Sequence, residues 1–314
     1  MPKARCAGAQ PRAAVSTWAG MVLAVISLFL SLLFLASCGG KPDPDTLVMI
    51  IESSPTNLDP RVGLDAYSER IDDLLFDDLL TRDAHLSVAP GLAERWEIPD
   101  PKTYIFHLHH GVRFHDGHPL TSRDVKWTFD SLLQDKIRST KAAAYRFVDH
   151  ISAPDDYTVI FHLSQPFATL LWNLSDGAIG IVPYGSGAEV TNHPVGSGPF
   201  RFVSAQQDKE VIIERNEDYW GQKSNVKTVR FMVVPDTTTR ALELRKGSAD
   251  IAINALTPDM VLTLQHDSSL QTLRAPGTVL GYLAFNISHF ERCAGAAGAG
   301  VCHRSWSNPR LSLA

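Results

Sequence analysis

TYIFHLHHGVRFHDGHPLTSRDVKWTFDSLL, residues 103–133, contains a strand, a turn and a helix in direct succession. From Tyr104 to Leu108 large apolar side chains occupy every second position, which is the period of a strand with one buried face. The segment GVRFHDGHPL then supplies glycines for a tight turn. Thr121 or Ser122 caps a helix whose apolar residues share one face. The stretch therefore predicts an α/β fold.

Similar signals continue on both sides of this stretch. Short apolar runs predict further strands at 46–52, 155–163, 209–215, 226–234 and 249–256. A helix is predicted over 66–80, and a second one begins at Asp236 and stops at Gly247. Some connections resemble hairpins and others resemble crossovers, so we expect an α/β sheet structure with substantial antiparallel content.

Six blocks of sequence carry a resemblance to a known family. They are PTNLDP (55–60), LAERWEI (92–98), TYIFHLHHGVRFHDGHPLTSRDV (103–125), HPVGSGPFRF (193–202), ERNEDYWG (214–221) and LRKGSADI (244–251). Together they resemble the family-5 extracellular solute-binding proteins, the peptide- and nickel-binding components of bacterial ABC importers. One departure is that the family commonly has Lys or Arg where His107, His109 and His110 stand in this chain.

The resemblance implies the class II, two-lobed fold of the periplasmic binding proteins, in which two lobes close on a ligand about a hinge. It places the first lobe at 46–86 and 191–286, with an inserted subdomain at 87–190. The second lobe is expected to be largely missing from this chain. The resemblance also implies a monomer that delivers its ligand to an ABC permease in the inner membrane, and it implies no cofactor.

Bound peptides in the family lie extended, held by main-chain hydrogen bonds and by hydrated side-chain pockets. The loop after the first strand is the first candidate for ligand contact in this chain, and its residues are Ser53, Ser54, Pro55 and Thr56. The loop that contains Asn254 is the second candidate. Both assignments rest on position in the chain alone.

The N-terminus predicts export and lipid anchoring. Basic residues precede MVLAVISLFLSLLFLA (21–36), an apolar stretch shorter than the about 20 residues of a spanning helix. It closes with LASC, which resembles a bacterial lipobox whose Cys38 carries the lipid. We therefore predict a signal peptide at 1–37, a tether at 38–45 and a mature protein held at a membrane on its periplasmic side. The alternative is an uncleaved anchor with an incidental cysteine.

Composition and motifs argue against two other functional classes. The net charge of −5 and the absence of a long Lys/Arg run give no basis for nucleic-acid binding. The sequence has no G-x-S-x-G elbow, dinucleotide loop or Walker lysine motif, so an exported hydrolase is disfavoured. The paired acids Asp72-Asp73 and Asp77-Asp78 are predicted to face solvent on a helix rather than to act in acid–base chemistry.

Histidines cluster in the opening stretch, where five of the twelve lie between 107 and 118. His107 and His109 share one strand face, so a pair of imidazoles at that spacing can bind Zn²⁺ or Ni²⁺. A metal-uptake protein is therefore the alternative to peptide binding. No acid or cysteine joins this face by spacing, and the simpler interpretation is an exposed polar strand face.

The tail differs in composition from the rest of the chain. ERCAGAAGAGVCHRS, residues 291–305, stands where the family has an amphipathic helix that begins N-D-V-R-V-R-Q-A-L-A. Back-translation shows that the family segment is encodable one base later, so we predict a frame slip near 287–290 and an aberrant tail at 287–314. A chain without the second lobe is expected to be inactive or unstable. The alternative is a genuine extension with a disulfide between Cys293 and Cys302.

Overall fold

The structure is a computed structural model that describes residues 45–177 and 179–274. The strands are β1 Thr46–Ile51, β2 Leu80–Arg82, β3 Val88–Pro90, β4 Ala93–Asp100, β5 Thr103–Leu108, β6 Val148–Asp155, β7 Thr158–Leu163, β8 Phe200–Gln206, β9 Glu210–Arg215, β10 Thr228–Val233 and β11 Ile251–Ala252. The α-helices are α1 Ala66–Leu75, α2 Ser122–Leu133, α3 Leu170–Leu174, α4 Thr237–Lys246 and α5 Pro258–Leu264. Short 3₁₀ turns cover Thr140–Tyr145 and Ala188–Thr191.

One sheet has five strands in the order β11-β1-β10-β9-β8. β1 runs parallel to both β10 and β11, whereas the remaining pairs are antiparallel. Met49 and Ile51 pack in one core together with residues of α1, and Val48 and Ile50 pack in another together with residues of α4 and α5. Because both faces of β1 are buried, its sequence is a continuous apolar run rather than an alternating one.

The second sheet is antiparallel, with the order β4-β5-β7-β6. The alternation predicted for β5 is confirmed, since Tyr104, Phe106 and Leu108 are all buried. Phe129 of α2 packs edge-to-face on Phe161 of β7, with ring centroids 5.1 Å apart. These contacts form the apolar core between α2 and the inner face of the sheet.

The N-terminus of α2 follows the predicted capping chemistry. Thr121 is the N-cap, and it forms a capping box with Asp124. The carboxylate of Asp124 accepts hydrogen bonds from both the backbone N and the Oγ1 of Thr121, at 2.7 and 2.9 Å. The opening stretch thus forms the strand, turn and helix that its sequence predicts.

The predicted helix over 66–80 is too long, because α1 ends at Leu75 and Phe76 is already extended. The reason lies beyond the helix, at Asp77. Its buried carboxylate accepts hydrogen bonds from Ser197 Oγ at 2.8 Å, Tyr219 OH at 3.0 Å and Trp220 Nε1 at 2.9 Å. These three long-range bonds hold Asp77 in an irregular segment outside the helix, and the chain continues as β2.

The prediction that the paired acids are solvent-facing helix residues is wrong for most of them. Asp72 is 4% exposed, and its carboxylate has no hydrogen-bond partner among the described residues. Burial, followed by the charges of Asp73 and Asp77, raises the pKa of Asp78 to about 8. Asp73 is exposed on α1, as predicted, although desolvation by its neighbours raises its pKa to about 6. The group Asp72, Asp73, Asp77 and Asp78 is called the acidic cluster below.

Several predictions concern residues outside the described ranges. The signal peptide, Cys38 and the aberrant tail lie there, so the structure gives no account of them. Within 45–177 and 179–274, no helix is both long and apolar enough to cross a membrane. The boundaries of the inserted subdomain remain predictions.

Candidate ligand-binding edge

Three parallel strands end side by side at one edge of the five-stranded sheet. The last residue of β1, Ile51, lies opposite Val233 of β10, and Ile50 lies opposite Ala252 of β11. Ligands of open α/β sheets bind outside the carboxyl ends of such strands. The two loops that the sequence singles out follow β1 and β11, so this edge brings them together. We call it the candidate edge.

Arg240 of α4 ties the connections at the candidate edge to one another. Its guanidinium is 4% exposed and donates hydrogen bonds to segments that follow all three parallel strands. The acceptors are Ala255 O, Val234 O, Pro235 O, Glu52 Oε1 and Thr237 Oγ1. Sequence reasoning missed this residue. Its position four residues before Leu244, a core residue, is the one local sign that its side chain points inward.

Replacing Arg240 by methionine is expected to lower the free energy of unfolding by about 2–3 kcal/mol, because buried carbonyl oxygens lose their donor. Urea unfolding followed by circular dichroism measures the change. Arg245→Met on the same helix is the matched control, since the Arg245 side chain is 57% exposed and forms an exposed ion pair with Asp267 at 3.3 Å. We expect the control to cost less than about 1 kcal/mol. Equal losses in the two variants would contradict the assigned role of Arg240.

The four predicted residues of the first loop have different environments. Ser53 is exposed, whereas Ser54 is buried and its Oγ accepts a hydrogen bond from Asp208 N at 2.8 Å. Pro55 is half-buried. Thr56 is exposed, but both its backbone N and its Oγ1 donate to the carboxylate of Asp65. Ser53 is therefore the residue of this loop whose side chain is most open to a ligand.

Asp65 fixes the end of that loop on α1. It is the N-cap of the helix and accepts hydrogen bonds from Tyr67 N and Ser68 N. Burial alone would raise the pKa of Asp65, but the hydrogen bonds from Ser68 and Thr56 lower it to about 2. The carboxylate is consequently charged at neutral pH and keeps the loop in one conformation.

Asn254 lies in the loop after β11 and is exposed. Its backbone is left-handed, with φ at +54°, a conformation that asparagine tolerates better than most residues. The preceding residue, Ile253, is 40% exposed. The loop thus presents an amide and an apolar side chain at the candidate edge.

The histidines named as a metal alternative do not share a site. His107 Nε2 lies 3.0 Å from Glu97 Oε1, and His109 packs beside Trp220 with ring centroids 5.0 Å apart. His109 Nδ1 is 3.8 Å from Glu94. Among the residues that the structure describes, no group of three His, Cys, Asp or Glu side chains is arranged to hold a metal ion.

Comparison with known proteins identifies a family to which this sequence is similar. The sequence profile described as Bacterial extracellular solute-binding proteins, family 5 Middle, matches residues 87–311. The dipeptide-binding protein of Escherichia coli strain K12 is 28% identical over 274 residues, covering 77% of this chain and 50% of the relative. This chain spans about half the length of the curated relatives it matches.

Two solved structures show the same fold. One is DppA from Helicobacter pylori, an ABC transporter-associated periplasmic binding protein in complex with the peptide STSA. It has a TM-score of 0.66 and 27% identity, over 70% of this chain and 48% of that one. The other is NikA from Brucella suis in complex with Fe(III)-EDTA. It has a TM-score of 0.65 and 26% identity, and the match covers 72% of this chain and 47% of that one. The predicted periplasmic-binding-protein-like α/β fold is confirmed.

Proposed function

The chain belongs to the bacterial extracellular solute-binding proteins of family 5, and on that premise we propose that it is the peptide-capturing part of an ABC importer. Its ligand class is a di- or oligopeptide, a permease in the inner membrane receives the ligand, and binding involves no catalysis. The observation that carries the proposal is the convergence of the loops after β1 and β11 at one sheet edge. Relatives named for dipeptides, and a structural neighbour holding a peptide, favour this ligand class.

The candidate edge is suited to an extended peptide. Exposed backbone and the side chains of Ser53 and Asn254 offer hydrogen bonds, and Ile253 offers apolar contact. Recognition through main-chain groups tolerates many side chains, which is what a general peptide receptor needs. Because Arg240 fixes the connections in advance, little ordering entropy opposes binding.

We further propose that tight capture needs a second lobe, which the frame predicted to begin one base later near 287–290 would encode. The coding DNA tests this first, since the shifted frame must then stay open over a length comparable to that of this chain. Calorimetric titration with di- to tetrapeptides then compares the 314-residue chain with the shifted-frame product. We expect the longer product to bind much more tightly. Equal affinities, or no binding by either protein, would contradict the proposal.

Asn254→Gly is expected to weaken peptide affinity by about 2–10-fold, because one or two hydrogen bonds of the side-chain amide are lost. Glycine accepts the same positive φ, so the thermal midpoint should not fall. The measurement is the same titration, made on the shifted-frame product. Asp135→Gly is the matched control, since Asp135 is also exposed and has φ at +56°. An unchanged affinity in Asn254→Gly would remove Asn254 from the site.

The predicted anchoring completes the proposal. A lipid on Cys38 would hold the protein at the periplasmic side of a bacterial membrane, close to its permease. Family members are extracellular or periplasmic binding proteins, which agrees with this location. Mass spectrometry of the mature N-terminus tests it: a diacylated peptide that begins at Cys38 is the expected product, and an intact Met1 terminus would refute it.

Two other functional classes are the alternatives to peptide capture. A metal carrier that uses His107 and His109 is favoured by the Fe(III)-EDTA complex of a structural neighbour but not by the separate partners of these side chains. Calorimetry of His107→Gln with Ni²⁺ and Zn²⁺ distinguishes it from peptide binding. An exported hydrolase has no supporting observation, and a hydrolase screen that shows turnover would revive it.

A further inference from the structure

A second pair of histidines faces outward from the four-stranded sheet, at the end opposite to His107. His150 of β6 and His162 of β7 are direct partners in the antiparallel register. Their rings are stacked, with centroids 4.3 Å apart and planes inclined by 13°. The sequence places them twelve residues apart, so it is the hairpin that brings the two imidazoles together.

The surroundings keep one nitrogen of His150 available as a ligand. His150 Nδ1 lies 2.8 Å from Asp149 Oδ2. In the neutral ring, a carboxylate beside Nδ1 favours the tautomer with the proton on Nδ1, so that the lone pair of Nε2 faces solvent, as in carboxylate–histidine–metal arrangements. The His150 side chain is 58% exposed, so its ring is accessible from solvent.

His162 lies beside His150 on the same face of the sheet and is half-buried. The carboxylates of Asp149 and Asp100 are near enough to act on its ring electrostatically. Negative charge beside two imidazoles favours a bound cation.

The spacing of the pair suits chelation. Directly opposed residues on antiparallel strands have Cβ atoms about 4.5–5.5 Å apart. Two imidazoles on one Zn²⁺ ion, each with a bond of about 2.0–2.1 Å, bring their nitrogens to roughly 3.3 Å in tetrahedral geometry. The lone pairs lie in the ring planes, and these planes are nearly parallel, so each ring must turn about its χ2 bond before both nitrogens point at one ion. The exposure of the His150 side chain leaves room for such a turn.

We propose that His150 and His162 form a two-imidazole binding site for a borderline divalent transition-metal cation such as Zn²⁺, independent of peptide capture. Water molecules complete the coordination, because no third protein ligand joins the pair in the described ranges. The site is consequently open and exchangeable rather than a closed structural centre. It differs from the His107 and His109 alternative in both residues and strands.

The test is calorimetric titration of the full chain, purified in detergent without a polyhistidine tag, with Zn²⁺ at pH 7.5. His150→Gln and His162→Gln are each expected to weaken the site by about tenfold or more, since one of two protein ligands is lost. Binding sites elsewhere in the chain are common to all variants and cancel in the comparison. Both residues are partly exposed, and circular dichroism confirms that the variants fold.

His118→Gln is the matched control. His118 is exposed, and its Nδ1 lies 3.1 Å from Asp116 Oδ2, so it also has a carboxylate partner. Among the described residues, its ring is not stacked on a second imidazole. We expect this variant to leave the Zn²⁺ affinity unchanged. An affinity that stays within about twofold of the parent in either His150→Gln or His162→Gln would overturn the proposal. An equal loss in His118→Gln would overturn it as well.

Discussion

Replacing Arg61 by methionine is expected to lower the free energy of unfolding by about 3–5 kcal/mol, because the variant leaves a buried carboxylate without its cation. Arg61 and Asp59 are 0% and 1% exposed. The guanidinium donates a bidentate pair of hydrogen bonds to the carboxylate, with Nε 2.9 Å from Oδ1 and Nη2 2.7 Å from Oδ2. Asp59 cannot recover its hydration in the folded state, so its desolvation becomes a net cost.

The same guanidinium also connects parts of the chain that are far apart in sequence. Arg61 Nη1 donates to Ser131 Oγ of α2 at 3.2 Å and to Ser186 O at 3.2 Å, and Nη2 donates to Gly187 O at 2.8 Å. The variant therefore loses three further hydrogen bonds in addition to the ion pair. Urea denaturation monitored by tryptophan fluorescence gives the change in free energy.

Two controls separate the buried charge from other effects. Arg95→Met removes an arginine from an exposed pair with Glu94, and we expect a change below about 1 kcal/mol. The double variant Asp59→Leu with Arg61→Met removes both charges, and it should recover part of the loss because no buried ion is left. An Arg61→Met variant no less stable than Arg95→Met would show that the pair contributes nothing to the fold.

The chain is expected to lose stability as pH rises from about 4 to about 8, because burial raises the pKa of both Asp72 and Asp78. The pKa of Asp78 is about 8 in the fold, against 3.8 as the ordinary value. Between these values the folded protein keeps a proton that the unfolded chain releases, so the free energy of unfolding falls with increasing pH. Each pKa unit corresponds to about 1.4 kcal/mol, which sets an upper bound of roughly 5 kcal/mol on the contribution of Asp78.

The charged neighbours determine how steep this dependence is. Asp73, Asp77 and Asp176 raise the pKa of Asp78, and Lys141 lowers it. Asp73, whose own pKa is about 6, contributes in the same direction over the lower part of the range. Asp65 acts in the opposite sense, because its pKa of about 2 stabilises the fold above about pH 4 and that stabilisation is lost on acidification.

Asp78→Asn is the test, since an amide stays neutral at every pH. We expect the variant to be more stable than the parent at pH 8 and similar to it at pH 4, with a shallower slope between. Asp156→Asn is the control, because Asp156 is exposed, and its stability curve should follow that of the parent. Urea unfolding at a series of pH values provides the curves. Parallel curves for the parent and Asp78→Asn would refute the assignment.

The acidic cluster also shows where prediction from sequence failed. An acid at helix-surface spacing normally faces water, and nothing near Asp77 in the chain suggests otherwise. Its partners Ser197, Tyr219 and Trp220 are 120 to 143 residues away. The same distance explains the error in the end of α1, because the bonds that stop the helix come from these remote residues.

The sequence by itself determined the features that depend on neighbouring residues. Alternation predicted β5, an uninterrupted apolar run predicted β1, and Thr121 or Ser122 was predicted to start α2, because side-chain period and capping act within one turn or strand. The structure selects Thr121. It also indicated the two loops of the candidate edge and the family. Only the tertiary structure decided which of their side chains stay accessible.

Burial and pairing across the chain were decided by the tertiary structure alone. Ser54 and Thr56 use their polar atoms inside the protein, Arg240 ties together the connections that follow three strands, and the strand register places His150 against His162. A sequence records which groups are polar, but their desolvation and their partners depend on segments that meet only after folding. The desolvation cost and the pKa of each polar group therefore depend on contacts that form only in the folded chain.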